Sequence, residues 1–213
     1  PFIMRAMNTN IGSYLNRLKQ KLYLRFKREY LGNMARKQKK LAGRPLRILE
    51  IGALMGESAA ILSRHGKVLT VDTWENPEMK KEFLRRTANK NVEYVQGNSM
   101  DVLPKLESSY DFIYVDGSHH YTETMSDIEN SKRLVDNGGI IVGDDFDLSI
   151  NEVDRQALGR VRETDVARDP KTGKLCHPGV TLAIAGQFGD WVKKVPHTFW
   201  AVRKIDDKFV NAL

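Results

Sequence analysis

The sequence predicts an α/β fold: a doubly wound, mostly parallel sheet with a late antiparallel strand, preceded by N-terminal helices. Three observations point there. Short apolar runs alternate with helix-length segments, the rhythm of repeated βα units. Several of these runs end at their C-terminal side on an acid or a glycine, where open α/β sheets bind ligands. And 213 residues suit one such domain with a short extension. The division expected is a basic helical N-terminal extension over residues 1–45 and an α/β domain over 46–213.

The extension reads as helical from about Ile11 to Lys40. Leu15, Leu18, Leu22, Phe26 and Tyr30 recur at spacings of three and four and form one apolar stripe. Asn10 or Ser13 would cap the start, Gly43 and Pro45 would end it, and Gly32 would divide it into two helices. The stripe is expected to pack on the domain or on a second subunit, with a membrane surface or an anionic partner as the other reading.

Leu46–Ile51 follows as a central parallel strand. A turn over Gly52–Gly56 and a helix from Glu57 to Arg64 come next. A glycine-containing turn between strand and helix lets the backbone approach a ligand and aims helix-start N–H groups at it. The pattern is E-x-G-x-x-x-G, beginning at Glu50, and not the G-x-G-x-x-G of dinucleotide sites. A carboxylate one residue before the turn suits a positively charged ligand end. Val68–Val71 is the second strand, and Asp72 at its tip is placed to accept ribose hydroxyls, with Trp74 as a wall for a base. A helix over Pro77–Asn89 leads to a third strand ending in Gly97, Asn98 and Ser99.

The fourth and fifth strands bracket a helix from Thr122 to Leu134 and carry the most chemistry. FIYV ends on Asp116, and GGIIVG, fed by a turn at Asn137-Gly138-Gly139, ends on Asp144 and Asp145. Three carboxylates converging beside His119 and His120 repel one another unless a cation or proton intervenes. A divalent metal between them is therefore expected. Residues from about Asp147 to Gly179 read as a polar, irregular lid. A helix from Val180 to Phe188 and late strands at Thr198–Lys204 and Lys208–Val210 close the chain. His65, His177 and His197 have no partner evident from spacing and read as surface or loop residues. Tyr121 reads as packing.

Composition narrows the function classes. Hydrophobic residues make up 41% and charged residues 29% of the chain, an ordinary globular balance. The apolar runs are strand-sized, so no transmembrane segment is expected, nor is a signal peptide. Cys176 is the only cysteine, which excludes an intrachain disulfide or a cysteine-based zinc site and fits a cytoplasmic location. Net charge is +7, yet residues 1–45 hold twelve Lys and Arg against Glu29 alone. The remainder is mildly acidic.

LEIGALMGES, VDTW, VQGNS, YVDGSHHY and GGIIVGDDF occur in an order and spacing that resembles the class I S-adenosylmethionine-dependent methyltransferases. The likeness is to their family 24 group and to the metal-dependent sugar O-methyltransferases of macrolide and aminocoumarin glycosides. It runs firmly from Leu46 to Phe146 and implies a Rossmann-like domain. By this resemblance Glu50, Gly52, Ala53, Gly56 and Ser58 would frame the methionine end of S-adenosylmethionine. Asp72 and Thr73 would hold the ribose, and Trp74, Asn98 and Ser99 would flank the adenine, with Asp116 beside the cofactor. Asp116, Asp144 and Asp145 would bind Mg2+ or Mn2+, and His119 would be the general base beside Asp116.

Either His119 or His120 can face such a site; motif register favours His119. The acceptor would be a hydroxyl of a sugar, glycan or other small molecule. Catechol-type methylation, a metal-free enzyme with an Asp or His base, and a non-catalytic cofactor-binding module are the alternatives. A nucleic-acid substrate is disfavoured, because DGSHHY stands where D/N-P-P-Y/F would hold a target amino group. Homo-oligomerisation or peripheral membrane contact would fall to the N-terminal helices.

Overall fold

The computed structural model describes the backbone of residues 2–212 and the side chains of residues 19–212. The chain opens with one helix, α1 (Phe2–Ala42), followed by β1 (Leu46–Ile51), α2 (Glu57–Leu62), β2 (Gly66–Asp72), α3 (Pro77–Thr87) and β3 (Val92–Gln96). Then come α4 (Ser99–Val102), β4 (Tyr110–Val115), α5 (Tyr121–Leu134) and β5 (Val135–Gly143). The remaining elements are α6 (Arg155–Arg160), β6 (Ala167–Arg168), β7 (Leu175–Cys176), α7 (Pro178–Phe188), β8 (Trp200–Ile205) and β9 (Lys208–Asn211).

Seven strands form one Rossmann-like sheet in the order β3-β2-β1-β4-β5-β8-β9. The first five are parallel, while β8 pairs antiparallel with β5 and β9 antiparallel with β8. Strand order reverses between β1 and β4, so the loops after these two strands diverge and leave a crevice. Hydrogen bonds continue past the strand ends: Asp116 N–H donates to the Ile51 carbonyl and Asp144 N–H to that of Val115. This extension places the tips of β1, β4 and β5 side by side.

Each face of the sheet carries its own core. On one, Leu49, Ile51, Ile113 and Ile141 pack against Ile128 of α5 and Val180, Ile184 and Phe188 of α7. On the other, Ile48, Phe112 and Val142 pack against Leu31, Met34 and Ala35 of α1 and Leu62 of α2. All six residues of β4 are buried, including Asp111. That acid is satisfied by both terminal nitrogens of Arg44, at 2.9 and 2.7 Å, and by the Arg47 amide at 2.8 Å, as a buried charge requires.

The N-terminal segment departs from expectation. Gly32 does not divide it, and Asn10 and Ser13 lie inside a single continuous helix. A Cβ on Gly32 would sit 3.1 Å from Ile61 Cγ2, so this glycine permits close packing of α1 on α2. The buried face is Leu31, Met34, Ala35 and Gln38, one helical stripe. From the expected stripe, Leu22 and Phe26 are 44% and 53% exposed, while Tyr30 packs against Phe199. The Leu15 and Leu18 side chains lie outside the described residues.

The expected turn at Asn137-Gly138-Gly139 is absorbed into β5 as an irregularity, with Gly138 at φ +80°. The expected irregular lid has structure of its own. It carries α6 and the β6–β7 hairpin, and Leu148, Ile150, Val153, Leu158 and Cys176 form a small core beneath it.

Gly143 ends β5 opposite Trp200 of β8, and a Cβ there would enter the indole ring. Gly143→Ala is expected to destabilise the fold by about 3 kcal/mol, the upper range for overpacking. Urea unfolding that shows an unchanged midpoint would contradict this.

Candidate active site

The crevice beside the sheet's C-terminal edge divides into two cavities on either side of the Gly52–Gly56 loop. The first, of about 400 Å³, is lined by Gly52, Asp72, Thr73, Asn98, Ser99, Gly117, Ser118 and His120 among others. The second, of about 220 Å³, is lined by Ala53, Ser58, Tyr114, Asp116, Asp144 and Phe199, with Leu24, Lys27, Arg28 and Leu31 of α1 as its far wall.

The loop between them is held tightly. Gly52 adopts φ +85°, and a Cβ there would collide with the Asp116 carbonyl. Only glycine meets both demands. Asp72 Oδ2 accepts from the Ala53 and Leu54 amides, each at 2.8 Å, and Oδ1 accepts from the Trp74 amide at 2.7 Å. Trp74 is buried and packs on Phe83, while its indole N–H donates to the Leu54 carbonyl at 2.8 Å. Trp74 thus braces the loop from beneath and does not face either cavity as a wall. Asn98 caps α4 through the Met100 amide at 2.9 Å, and with Ser99 lines the first cavity.

Glu50, two residues before Gly52, is fully buried and stands opposite Tyr114 in the sheet. Its Oε2 accepts from Thr70 Oγ1 at 2.6 Å, but Oε1 has no hydrogen-bond partner. Burial raises its pKa to about 7. A buried carboxylate oxygen without a donor is costly unless something fills the position.

The tips of β4 and β5 bring the three aspartates together. Tyr114 Oη lies 2.8 Å from Asp116 Oδ2 and 3.2 Å from Asp144 Oδ2. Asp144 Oδ1 accepts from Thr198 Oγ1 at 2.9 Å and from the Asp145 amide at 2.7 Å. Its Oδ2 lies 2.6 Å from the Lys27 ammonium, a group supplied by α1. Asp145 has φ +56°, a sparsely populated conformation of the kind found at functional sites. Its Oδ2 lies 2.9 Å from His119 Nε2. On the other side of that ring, Nδ1 lies 2.5 Å from Asp165 Oδ1.

Electrostatics follow from this crowding. Burial, and then the charges of Asp144 and Asp145, push the Asp116 carboxyl well above its ordinary range. The hydrogen bond that His119 donates to Asp145, aided by Asp165, raises His119 to about 9 against the opposing effect of burial. Burial also works against the Lys27 ammonium, yet Asp144 prevails and raises it. With Asp116 holding its proton, Asp144 and Asp145 meet two cations, Lys27 and protonated His119, and ionising Asp116 as well would call for a further positive charge.

Of the histidines, His119 is the one directed at the acids. His120 precedes α5, lies 3.3 Å from Glu123 and lines the first cavity. Asp116, His119 and Asp145 present ligand atoms within 4.8 Å of one another, whereas Asp144 is committed to Lys27 and Thr198. Sequence reasoning missed Lys27, one of twelve similar cations. It also missed Asp165 and His177, which are not loose loop residues: the His177 ring centroid lies 4.4 Å from that of His119. His197, likewise expected on the surface, packs edge-on against Tyr23 and Tyr30.

The sequence profile of a family described as a methyltransferase domain matches residues 49–146, the stretch from β1 to just past the β5 tip. That stretch, a little under half of the chain, is similar to a methyltransferase domain. An O-methyltransferase of Aspergillus hancockii is 28% identical over 112 residues, covering 49% of this chain and 44% of that protein. The chain spans about half the length of the curated relatives it matches. Among solved structures, an O-methyltransferase from Bacillus cereus in complex with S-adenosylhomocysteine superposes with TM-score 0.58 at 20% identity, over 84% of this chain and 81% of that one. A TDP-rhamnose 3′-O-methyltransferase from calicheamicin biosynthesis gives TM-score 0.53 at 15% identity, over 81% and 76%. These likenesses concern the fold of the methyltransferase domain. Among the described residues, no helix is long and apolar enough to cross a membrane.

Proposed function

We propose that the protein transfers a methyl group from S-adenosylmethionine to a hydroxyl oxygen of a sugar or another hydroxylated small molecule, assisted by Mg2+ or Mn2+. The observation that carries the reading is the meeting of Asp116, Asp145 and His119 at the β4 and β5 tips, against the glycine loop. The unpartnered Glu50 Oε1 suits a cationic amino group at the methionine end of the cofactor. The polar first cavity, with Asn98, Ser99 and Thr73, suits its nucleoside. S-adenosylmethionine supplies a methyl group already activated by the sulfonium, so the protein's task is chiefly to place an oxygen in line.

The donor set of the acid cluster fits a hard divalent cation. Asp116 and Asp145 would hold it, with Asp144 joining if Lys27 withdraws. Bound there, such a cation would replace the proton on Asp116 and would lower the pKa of a nearby hydroxyl. His119, held between Asp145 and Asp165, would then take the proton. The second cavity, walled by α1, would receive the acceptor. A reducing cytoplasm suits the single, buried, unpaired Cys176.

The ion pair of Lys27 with Asp144 favours one second reading, a metal-free enzyme in which Lys27 itself balances the aspartates. Methyl transfer to a panel of sugars, glycans and catechols, with Mg2+ or with excess EDTA, separates the two. The metal-assisted reading expects at least about a hundredfold loss in EDTA, restored by Mg2+, and tighter Mg2+ binding in Lys27→Met. Full activity in EDTA together with an inactive Lys27→Met would overturn it.

A further inference from the structure

We propose that His119, Asp165 and His177 form a second metal site, distinct from the acid cluster, that takes a borderline transition ion such as Zn2+ and latches residues 147–179 onto the catalytic edge. One ligand atom from each of the three side chains lies within 4.8 Å of the others. Two imidazoles and a carboxylate are a donor set that Zn2+, Co2+ or Ni2+ accepts and that Mg2+ does not favour.

Each histidine has a carboxylate on at least one ring nitrogen. His177 Nδ1 lies 2.7 Å from Asp147 Oδ2, which also accepts the His177 amide at 3.2 Å. With its Nδ1–H so held, Nε2 keeps its lone pair. A carboxylate fixing the far side of a ligand histidine is the usual outer partner of a metal site. His119 is an imidazolium that donates Nε2–H to Asp145 and Nδ1–H to Asp165, and an ion entering beside Asp165 would displace the Nδ1 proton. Asp165 is 65% exposed, which gives an ion a path in.

The backbone holds the three residues in place. A Cβ on Gly179, at the start of α7, would collide with the His119 carbonyl, so α7 begins directly on the histidine loop. The Tyr121 amide donates to the Arg162 carbonyl at 3.1 Å and Thr122 Oγ1 to Glu163 at 2.8 Å, which secures the turn carrying Asp165. Because His119 belongs to both clusters, an ion on its Nδ1 fixes Nε2–H on Asp145 and removes its capacity to accept a proton. The site would therefore inhibit methyl transfer. That consequence rests on the proposed role of His119; the binding does not.

The test uses the full chain without a polyhistidine tag, stripped with chelator and held in excess Mg2+. Titration with Co2+ is expected to give visible d–d bands at one equivalent that Zn2+ abolishes. His177→Gln and Asp165→Asn should weaken binding about a hundredfold, and Asp147→Asn about 10–100-fold, with circular dichroism unchanged. Asp144→Asn should leave the bands intact. Absent bands, bands displaced by Mg2+, or bands equal in folded His177→Gln and wild type would each overturn the site.

Discussion

Glu50→Gln is expected to weaken S-adenosylmethionine binding by about 10–100-fold, the value of one charge-assisted hydrogen bond, and to abolish its pH dependence. Glu50 sits in the middle of the parallel sheet with one oxygen on Thr70 and the other without a donor. Burial raises its pKa to about 7, opposed by neighbouring Ser58 and Thr70 and reinforced by Asp72. A cationic amino group at Oε1 favours the ionised carboxylate. Below pH 7 the cofactor must first drive off a proton, so affinity should rise as pH increases from 6 to 8. Glutamine cannot ionise and leaves no buried charge, so the unliganded fold is not at risk. Calorimetric titration at pH 6, 7 and 8, in two buffers of different ionisation enthalpy, reads both the affinity and the proton released. An unchanged affinity in the variant would remove Glu50 from the cofactor site.

His119→Ala is expected to lower kcat by about 10²–10⁴, the range for loss of a general base. Asp145 and Asp165 stabilise its protonated form, which holds the pKa at about 9 in the metal-free protein. A base works when neutral, so the metal-free rate should climb with pH toward 9. Asp165→Asn removes one stabilising carboxylate and should shift the profile to lower pH. Rate profiles between pH 6 and 10 test this. An unchanged kcat in the alanine variant would transfer proton acceptance to an aspartate such as Asp116.

The central sheet was legible because its signals are local. FIYV is buried and continuously apolar. LRILEI and KVLTV are mostly so, apart from exposed Arg47 and Lys67 and buried Glu50 and Thr70, and Gly52, Asp72 and Asp116 mark where these strands end. The late antiparallel strands were readable for a similar reason. What escaped was set by long-range packing. Which face of α1 is buried depends on Ile61 and the sheet, contacts that periodicity cannot reveal. Lys27 gains its meaning only from Asp144, far along the chain. Trp74 reads as a ligand wall by position, yet a nearby carbonyl and Phe83 claim it for the loop. The lid looked structureless because strands as short as β6 and β7 leave no periodic trace, and its small core is assembled from separated residues.

The burial of Leu31, Met34 and Ala35 against Ile48 and Val142 bears on where this protein can be cut. An expression fragment trimmed to the motif-bearing stretch, beginning near Leu46, would lose the cover of one sheet face and the ammonium that meets Asp144. It should precipitate rather than yield a minimal catalytic unit. A boundary placed upstream of Leu22 spares both.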